Sequence, residues 1–171
     1  VSRRVRPVPP APGQESVWDY PRPPRLERTG RHVAVRFGGV VVAESQRAWR
    51  VLETSHPPVY YLPREDVIDG VLEPAAGGSW CEFKGMASYW SVVVPATAGG
   101  QQRAERAAWS YEDPSDAFRP LRGAIAFYPA LMDSCTVDGE PARPQAGGFY
   151  GGWVTDDIVG PFKGEPGTLD W

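Results

Sequence analysis

Short runs rich in Val, Tyr, Trp and Phe, separated by Gly and Pro, set the pattern of this chain. His32-Val33-Ala34-Val35-Arg36-Phe37 alternates apolar and polar positions, Gly38-Gly39 follows, and Val40-Val41-Val42-Ala43 resumes the β-type composition. Two such runs around Gly-Gly predict a tight hairpin, because both turn positions take positive φ. Ser45 is positioned to cap a short helix over Gln46 to Glu53, which His56-Pro57-Pro58 would end. Val59 to Leu62 reads as a strand, and Pro63 can open a helical turn over Arg64 to Ile68. Further strands are predicted at Ser79 to Phe83, Met86 to Val94, Ala107 to Tyr111, Gly123 to Tyr128 and Ser134 to Val137. Lys84-Gly85 and Asp138-Gly139 supply turns, Pro95 to Gln102 a loop, and Ser115 to Leu121 a turn of helix. Gly147 to Trp171 is Gly-rich and is expected to wrap the surface without regular structure. Short strands at this spacing predict an all-β fold, as a sandwich or as paired antiparallel sheets.

Alternation also assigns faces. Cys81 shares a face with Ser79 and Phe83, opposite Trp80 and Glu82. Past the turn, Ala87, Tyr89 and Ser91 share one face, and on a later strand Trp109 and Tyr111 point the same way. The pattern predicts a pocket between the sheets, walled by Tyr60 or Tyr61, Tyr89, Trp109 and Tyr111, with Lys84 at its mouth. Tyr60 is assigned the ligand-facing place, so the candidate ligand-binding set is Tyr60, Cys81, Lys84, Tyr89, Trp109 and Tyr111. Flat aromatic walls with a few polar tips suit a small planar or cationic ligand. An ordinary aromatic core with satisfied hydroxyls is the competing reading, although cores generally prefer Leu and Ile.

Composition narrows the field. The 171 residues suffice for one domain without a disulfide framework or structural metal. A net charge of −3 argues against a dedicated nucleic-acid partner. The longest weakly polar run, Gly123 to Met132, is too short to span a membrane and contains Pro129. Residues 1–14 are basic and Pro-rich and read as a flexible arm ahead of one domain over residues 15–171. No apolar run of the signal-peptide kind follows that start, and Cys81 and Cys135 form no CxxC, so a cytoplasmic protein with two free thiols is expected. The expected state is a monomer or weak dimer.

Of the 18 basic residues only Lys84 and Lys163 are lysine, and both stand in Phe-Lys-Gly triplets. An ammonium is compact and can lose its proton when desolvated, whereas a guanidinium cannot, so these sites ask for a small cationic head. Lys163, in the Gly-rich tail, reads as structural. Cys81 with Lys84 offers an alternative, covalent enzyme chemistry, but no general base can be assigned, and Ser55-His56 lacks a third member. A lone inward Cys is more commonly filler. Two His without ligand spacing predict neither metal nor cofactor.

Several segments together resemble a known family: Val17 to Pro24, Glu53 to Tyr61, Cys81 to Trp90, Trp109 to Pro114, Ala126 to Pro129 and Gly148 to Trp153. They resemble the bacterial family called domain of unknown function 427, sometimes labelled nucleotidyltransferase-like. The resemblance implies a β-tent, two antiparallel sheets leaning together at one end, similar to methionine sulfoxide reductase B and the thalidomide-binding domain of cereblon. Many tents are pinned by zinc on two CxxC pairs, which this chain lacks. Nucleotidyl transfer needs acidic residues spaced for two metal ions after a Gly-Ser turn. Gly78-Ser79 is followed only by Glu82 and Lys84, and Asp156-Asp157 lies far along the chain, so the label gains no support. The expected function is small-molecule binding by an otherwise uncharacterised protein. A protein-interaction module using the arm with exposed Trp18 and Trp153 is a further alternative.

Overall fold

The structure is a computed structural model that describes residues 4–171, so the first three residues of the expected arm lie outside the described residues. The fold is all-β. In chain order the strands are β1 (Glu15–Ser16), β2 (Arg25–Arg28), β3 (Val33–Phe37), β4 (Val40–Ser45), β5 (Trp49–Leu52), β6 (Val59–Tyr61), β7 (Leu72–Cys81) and β8 (Gly85–Pro95). They continue with β9 (Gln101–Ser110), β10 (Ala126–Phe127), β11 (Ser134–Val137), β12 (Glu140–Pro141), β13 (Arg143–Pro144), β14 (Trp153–Val154) and β15 (Ile158–Val159). Short 3₁₀ turns fall at Arg64–Asp66 and Asp116–Leu121, just after Pro63 and Ser115, where helical turns are expected to open.

The β3–β4 hairpin forms as expected, with Phe37 paired to Val40 across Gly38-Gly39, whose φ angles of 58° and 76° suit glycine alone. One antiparallel sheet has the order β12-β11-β3-β4, a second β10-β9-β8-β7 and a third β2-β5-β6. Leu62, just past β6, and Ile125, just before β10, exchange both backbone hydrogen bonds at 2.8 Å. The second and third sheets are thus joined at that point.

Period-two alternation then divides the joined sheets into two chemistries. Tyr60, Leu62, Val92, Val94, Ile125 and Phe127 face the β12-β11-β3-β4 sheet. There they meet Val33, Val35, Val42 and Val137 in a closed, mostly aliphatic core. Their sequence neighbours Tyr61, Ala124 and Ala126 gather with Tyr89 and Trp109 in a second cluster on the other face.

The expected helix over Gln46 to Glu53 is corrected: Trp49–Leu52 is strand β5. Ser45 Oγ does accept the Arg47 N–H at 3.0 Å, a local turn that imitates a helix cap. Beyond it, ladders to β2 on one side and β6 on the other outweigh a modest helical propensity. The tail is also more ordered than expected, because β14 pairs with β13 and β15 pairs in parallel with β1. Val8 N–H donates to the Gly160 carbonyl at 2.8 Å, which ties the N-terminal stretch to this tail. Trp153, expected to be exposed, is wholly buried beside Tyr60 at a ring separation of 4.8 Å. Trp18 is half-buried, its indole N–H donating to the Pro161 carbonyl at 2.9 Å. No helix among the described residues is long and apolar enough to cross a membrane.

Candidate functional site

A cleft of about 280 Å³ lies against the second cluster. Val51, Val59 and Tyr61 line it from the three-stranded sheet, and Ala87, Tyr89 and Trp109 from the β10-β9-β8-β7 sheet. The β12-β11-β3-β4 sheet contributes none of its wall, so the interface between the two four-stranded sheets is packed core and the cleft lies elsewhere. Cys81, Lys84 and Tyr111, three more of the expected residues, line one end.

Local structure holds each group in place. The Lys84 carbonyl accepts the Ser115 N–H at 3.0 Å, and the Ser115 hydroxyl donates to the Phe83 carbonyl, which pins the β7–β8 turn. Lys84 is only 9% exposed, and its Nζ lies 5.7 Å from the Tyr111 ring centroid and 5.8 Å from that of Phe118. Trp109 Nε1 donates to the Tyr61 hydroxyl at 3.1 Å. Its ring stands edge-on to Tyr61 at 6.2 Å and tilted against Tyr128 at 4.5 Å. The Trp109 ring also rests on Gly151, where a Cβ would fall 2.1 Å from Trp109 Cη2, so no larger residue fits without displacing the indole. Ser79 and Tyr89 share a hydroxyl–hydroxyl bond of 2.9 Å. Burial pushes the Tyr61 and Tyr111 hydroxyls well above the usual phenol range, so both remain neutral groups able to donate.

The other end is polar and was not predicted. Gln145 is buried there and uses its whole amide. Its Oε1 accepts the Gly152 N–H at 3.1 Å, and its Nε2 donates to the Lys163 carbonyl at 2.8 Å and to His56 Nδ1 at 3.1 Å. His56 Nδ1 is therefore an acceptor, and Nε2 is left to face Glu53 at 3.4 Å. Burial pushes the Glu53 carboxyl up, but the His56 hydrogen bond, with the charges of Lys84 and Arg22, more than offsets this and holds it below the usual carboxylate range. Lys163 Nζ donates to the Trp171 carbonyl at 3.2 Å and lies 5.7 Å from the Tyr150 ring. Both lysines of the chain therefore line one cleft.

Of the residues expected from alternation, the structure brings Cys81, Lys84, Tyr89, Trp109 and Tyr111 together and leaves Tyr60 out. Tyr60 points the opposite way from Tyr61 into the aliphatic core, so of that pair it is Tyr61, and not the expected Tyr60, that lines the cleft. His56, Gln145 and Tyr150 come from segments distant in sequence, with no shared pattern to join them. The Phe-Lys-Gly repetition was the one signal that pointed to Lys163. A neighbouring cavity of about 460 Å³ shares Ser79, Tyr89, Tyr128 and Tyr150 with the cleft. It adds Arg106, held at a φ of 49° beside a register shift in β9, with its guanidinium 4.3 Å over the Tyr89 ring. Asp156 and Asp157 form ion pairs with Arg143 and Arg31. Among the described residues no group of three His, Cys, Asp or Glu gathers in a way that could hold a metal ion.

Residues 25–138, more than half of the chain, match the model of a family described as "Domain of unknown function (DUF427)". No curated protein matches the chain.

Proposed function

The chain belongs to the family described as Domain of unknown function (DUF427), and from this premise we propose that it binds a small planar molecule in the aromatic cleft. The observation that carries this reading is the gathering of Tyr61, Tyr89, Trp109, Tyr111 and Tyr128 around about 280 Å³ of open space. A core built only for stability would close on itself with aliphatic side chains, as the opposite face of the same strands does. Tyrosine and tryptophan give flat contact area at small conformational cost, and their polar tips orient what they hold. In this reading Tyr61, Tyr89, Trp109 and Tyr111 stack on and orient the ligand, Cys81 fills the wall, and Lys84 meets its polar end. Ligands of this kind occupy clefts of a few hundred Å³ with a few converging polar groups.

A thermal-shift screen of small planar compounds tests the reading. A compound present at about a hundred times its dissociation constant stabilises by roughly 2.7 kcal/mol, a readily measured rise in melting temperature. Hits are expected whose shift disappears in the Gly151→Ala protein, where the added methyl group displaces the Trp109 ring. Hits that shift the wild type and the Gly151→Ala protein equally would place binding elsewhere and reject the cleft.

A further inference from the structure

We infer that the ligand of this cleft carries an acidic group, a carboxylate or a phosphate, seated on the ammonium of Lys84. The inference rests on the planar-ligand reading and specifies what the ring must bear.

Lys84 is more than nine-tenths buried, yet among the described residues its Nζ has neither an ion pair nor a hydrogen bond. Among the described residues neither carboxylate of the cleft wall lies within ion-pair distance of it, although its charge helps to hold the Glu53 carboxyl low. Glu53 is engaged by Arg22 at 3.2 Å and His56 at 3.4 Å, and Glu82 is exposed, with no ion pair to Lys84. What the ammonium meets instead is the faces of Tyr111 and Phe118, at the far limit of cation–π contact. A residue needed only to pack against these two rings would be better served by Leu or Met than by a side chain ending in a charge. The turn that presents it is pinned by Ser115, so the head is preorganised to meet a partner that the chain itself does not provide.

The same geometry selects against the other ligand charges. A cationic ligand caged by these tyrosines would face Lys84 and Lys163 at like charge. A neutral ring would leave the ammonium as unpaired as before. An anion gains a charge-assisted hydrogen bond in a partly desolvated site, where such bonds are strongest. The adjoining cavity repeats the sign, because Arg106 stacks on Tyr89 and among the described residues no carboxylate pairs with its guanidinium.

Calorimetric titration of the full chain with naphthoate, naphthyl phosphate and naphthamide tests this. These probes share one ring system and differ in the polar group. On the wild type, at least one of the two anions is expected to bind roughly tenfold or more tightly than naphthamide, the worth of one hydrogen bond to a charged group. The tighter of the two identifies the acid. Lys84→Met should erase that preference while keeping naphthamide binding, and Lys84→Arg should retain much of it. Equal binding of naphthamide and both anions to the wild type would overturn the inference whatever the variants do, as would a preference that survives in Lys84→Met. Both outcomes leave the planar-ligand reading standing. If none of the three naphthalene probes binds, that reading fails and this inference fails with it.

Discussion

Tyr60 and Tyr61 are neighbours on one strand, both almost wholly buried, and they serve opposite faces of it. Tyr60 packs with Trp153 in a mostly aliphatic cluster of buried side chains and does not line the cleft. Tyr61 takes a hydrogen bond from Trp109 and borders open space. The same division runs across β8, β9 and β10, where Val92, Val94, Ala108 and Phe127 turn to the closed core and Ala87, Tyr89, Trp109 and Ala126 to the second cluster. One face is filled for stability, and the other is shaped and left open. Side chains on the first should set the melting temperature, and those on the second should set binding.

Unfolding measurements on paired variants sharpen that contrast. Trp153→Ala removes the largest fully buried side chain and its bond to the Phe127 carbonyl, and should cost about 4 kcal/mol in urea unfolding. Trp109→Ala, bordering the cleft, should cost only about 3 kcal/mol, because open space already adjoins the ring and less packing is lost. Equal costs for the two would break the contrast.

Arg50 stands directly across from Tyr60 on the core side and bonds Glu15 at 2.9 Å and Glu27 at 2.6 Å. Arg50→Leu should cost about 2 kcal/mol, below the range for fully buried pairs because both carboxylates are partly exposed. The Arg50 hydrogen bonds hold the Glu15 carboxyl below its ordinary value of 4.5 despite burial. Its contribution is therefore complete above that value and is lost as pH falls through the lowered one. Denaturation midpoints measured from neutral pH down to strongly acidic pH should fall less steeply for Arg50→Leu than for the wild type.

Gly151→Ala forces a methyl group into the Trp109 ring and should cost about 1–2 kcal/mol while abolishing binding in the cleft. Tyr61→Phe leaves the Trp109 indole N–H without its acceptor and should cost about 1 kcal/mol, the smallest change of the series. Tyr60→Phe should leave ligand affinity unchanged, since its ring faces away from the cleft.

Much of this architecture was legible in the chain. The β3–β4 hairpin, the strands bearing Tyr89 and Trp109, and the shared face of Cys81, Tyr89, Trp109 and Tyr111 followed from alternation and Gly-Gly turns. What escaped lay where tertiary pairing supplies the signal. Arg25–Arg28 and the Arg- and Glu-rich half of β9 form strands through ladders and surface ion pairs, such as Arg103 with Glu73, without an apolar pattern. Trp49–Leu52 carried a false helix cap. Tyr60 was preferred to Tyr61 because alternation gives two faces without saying which one is filled. His56 and Gln145 are 89 residues apart and meet only in the folded chain. The two Phe-Lys-Gly triplets bring both lysines to the same cleft, although the Gly-rich tail around Lys163 reads as structural.

The most direct test uses the molecule's own internal control. Trp109 lies in the cleft wall and Trp153 in the closed core, so their indole N–H resonances report the two faces separately. Titrating ¹⁵N-labelled protein with naphthoate should shift the Trp109 indole signal progressively and leave that of Trp153 in place. A Trp109 signal that stays fixed at saturating naphthoate, or a Trp153 signal that moves as far, would contradict the assignment of the open aromatic face as the binding site.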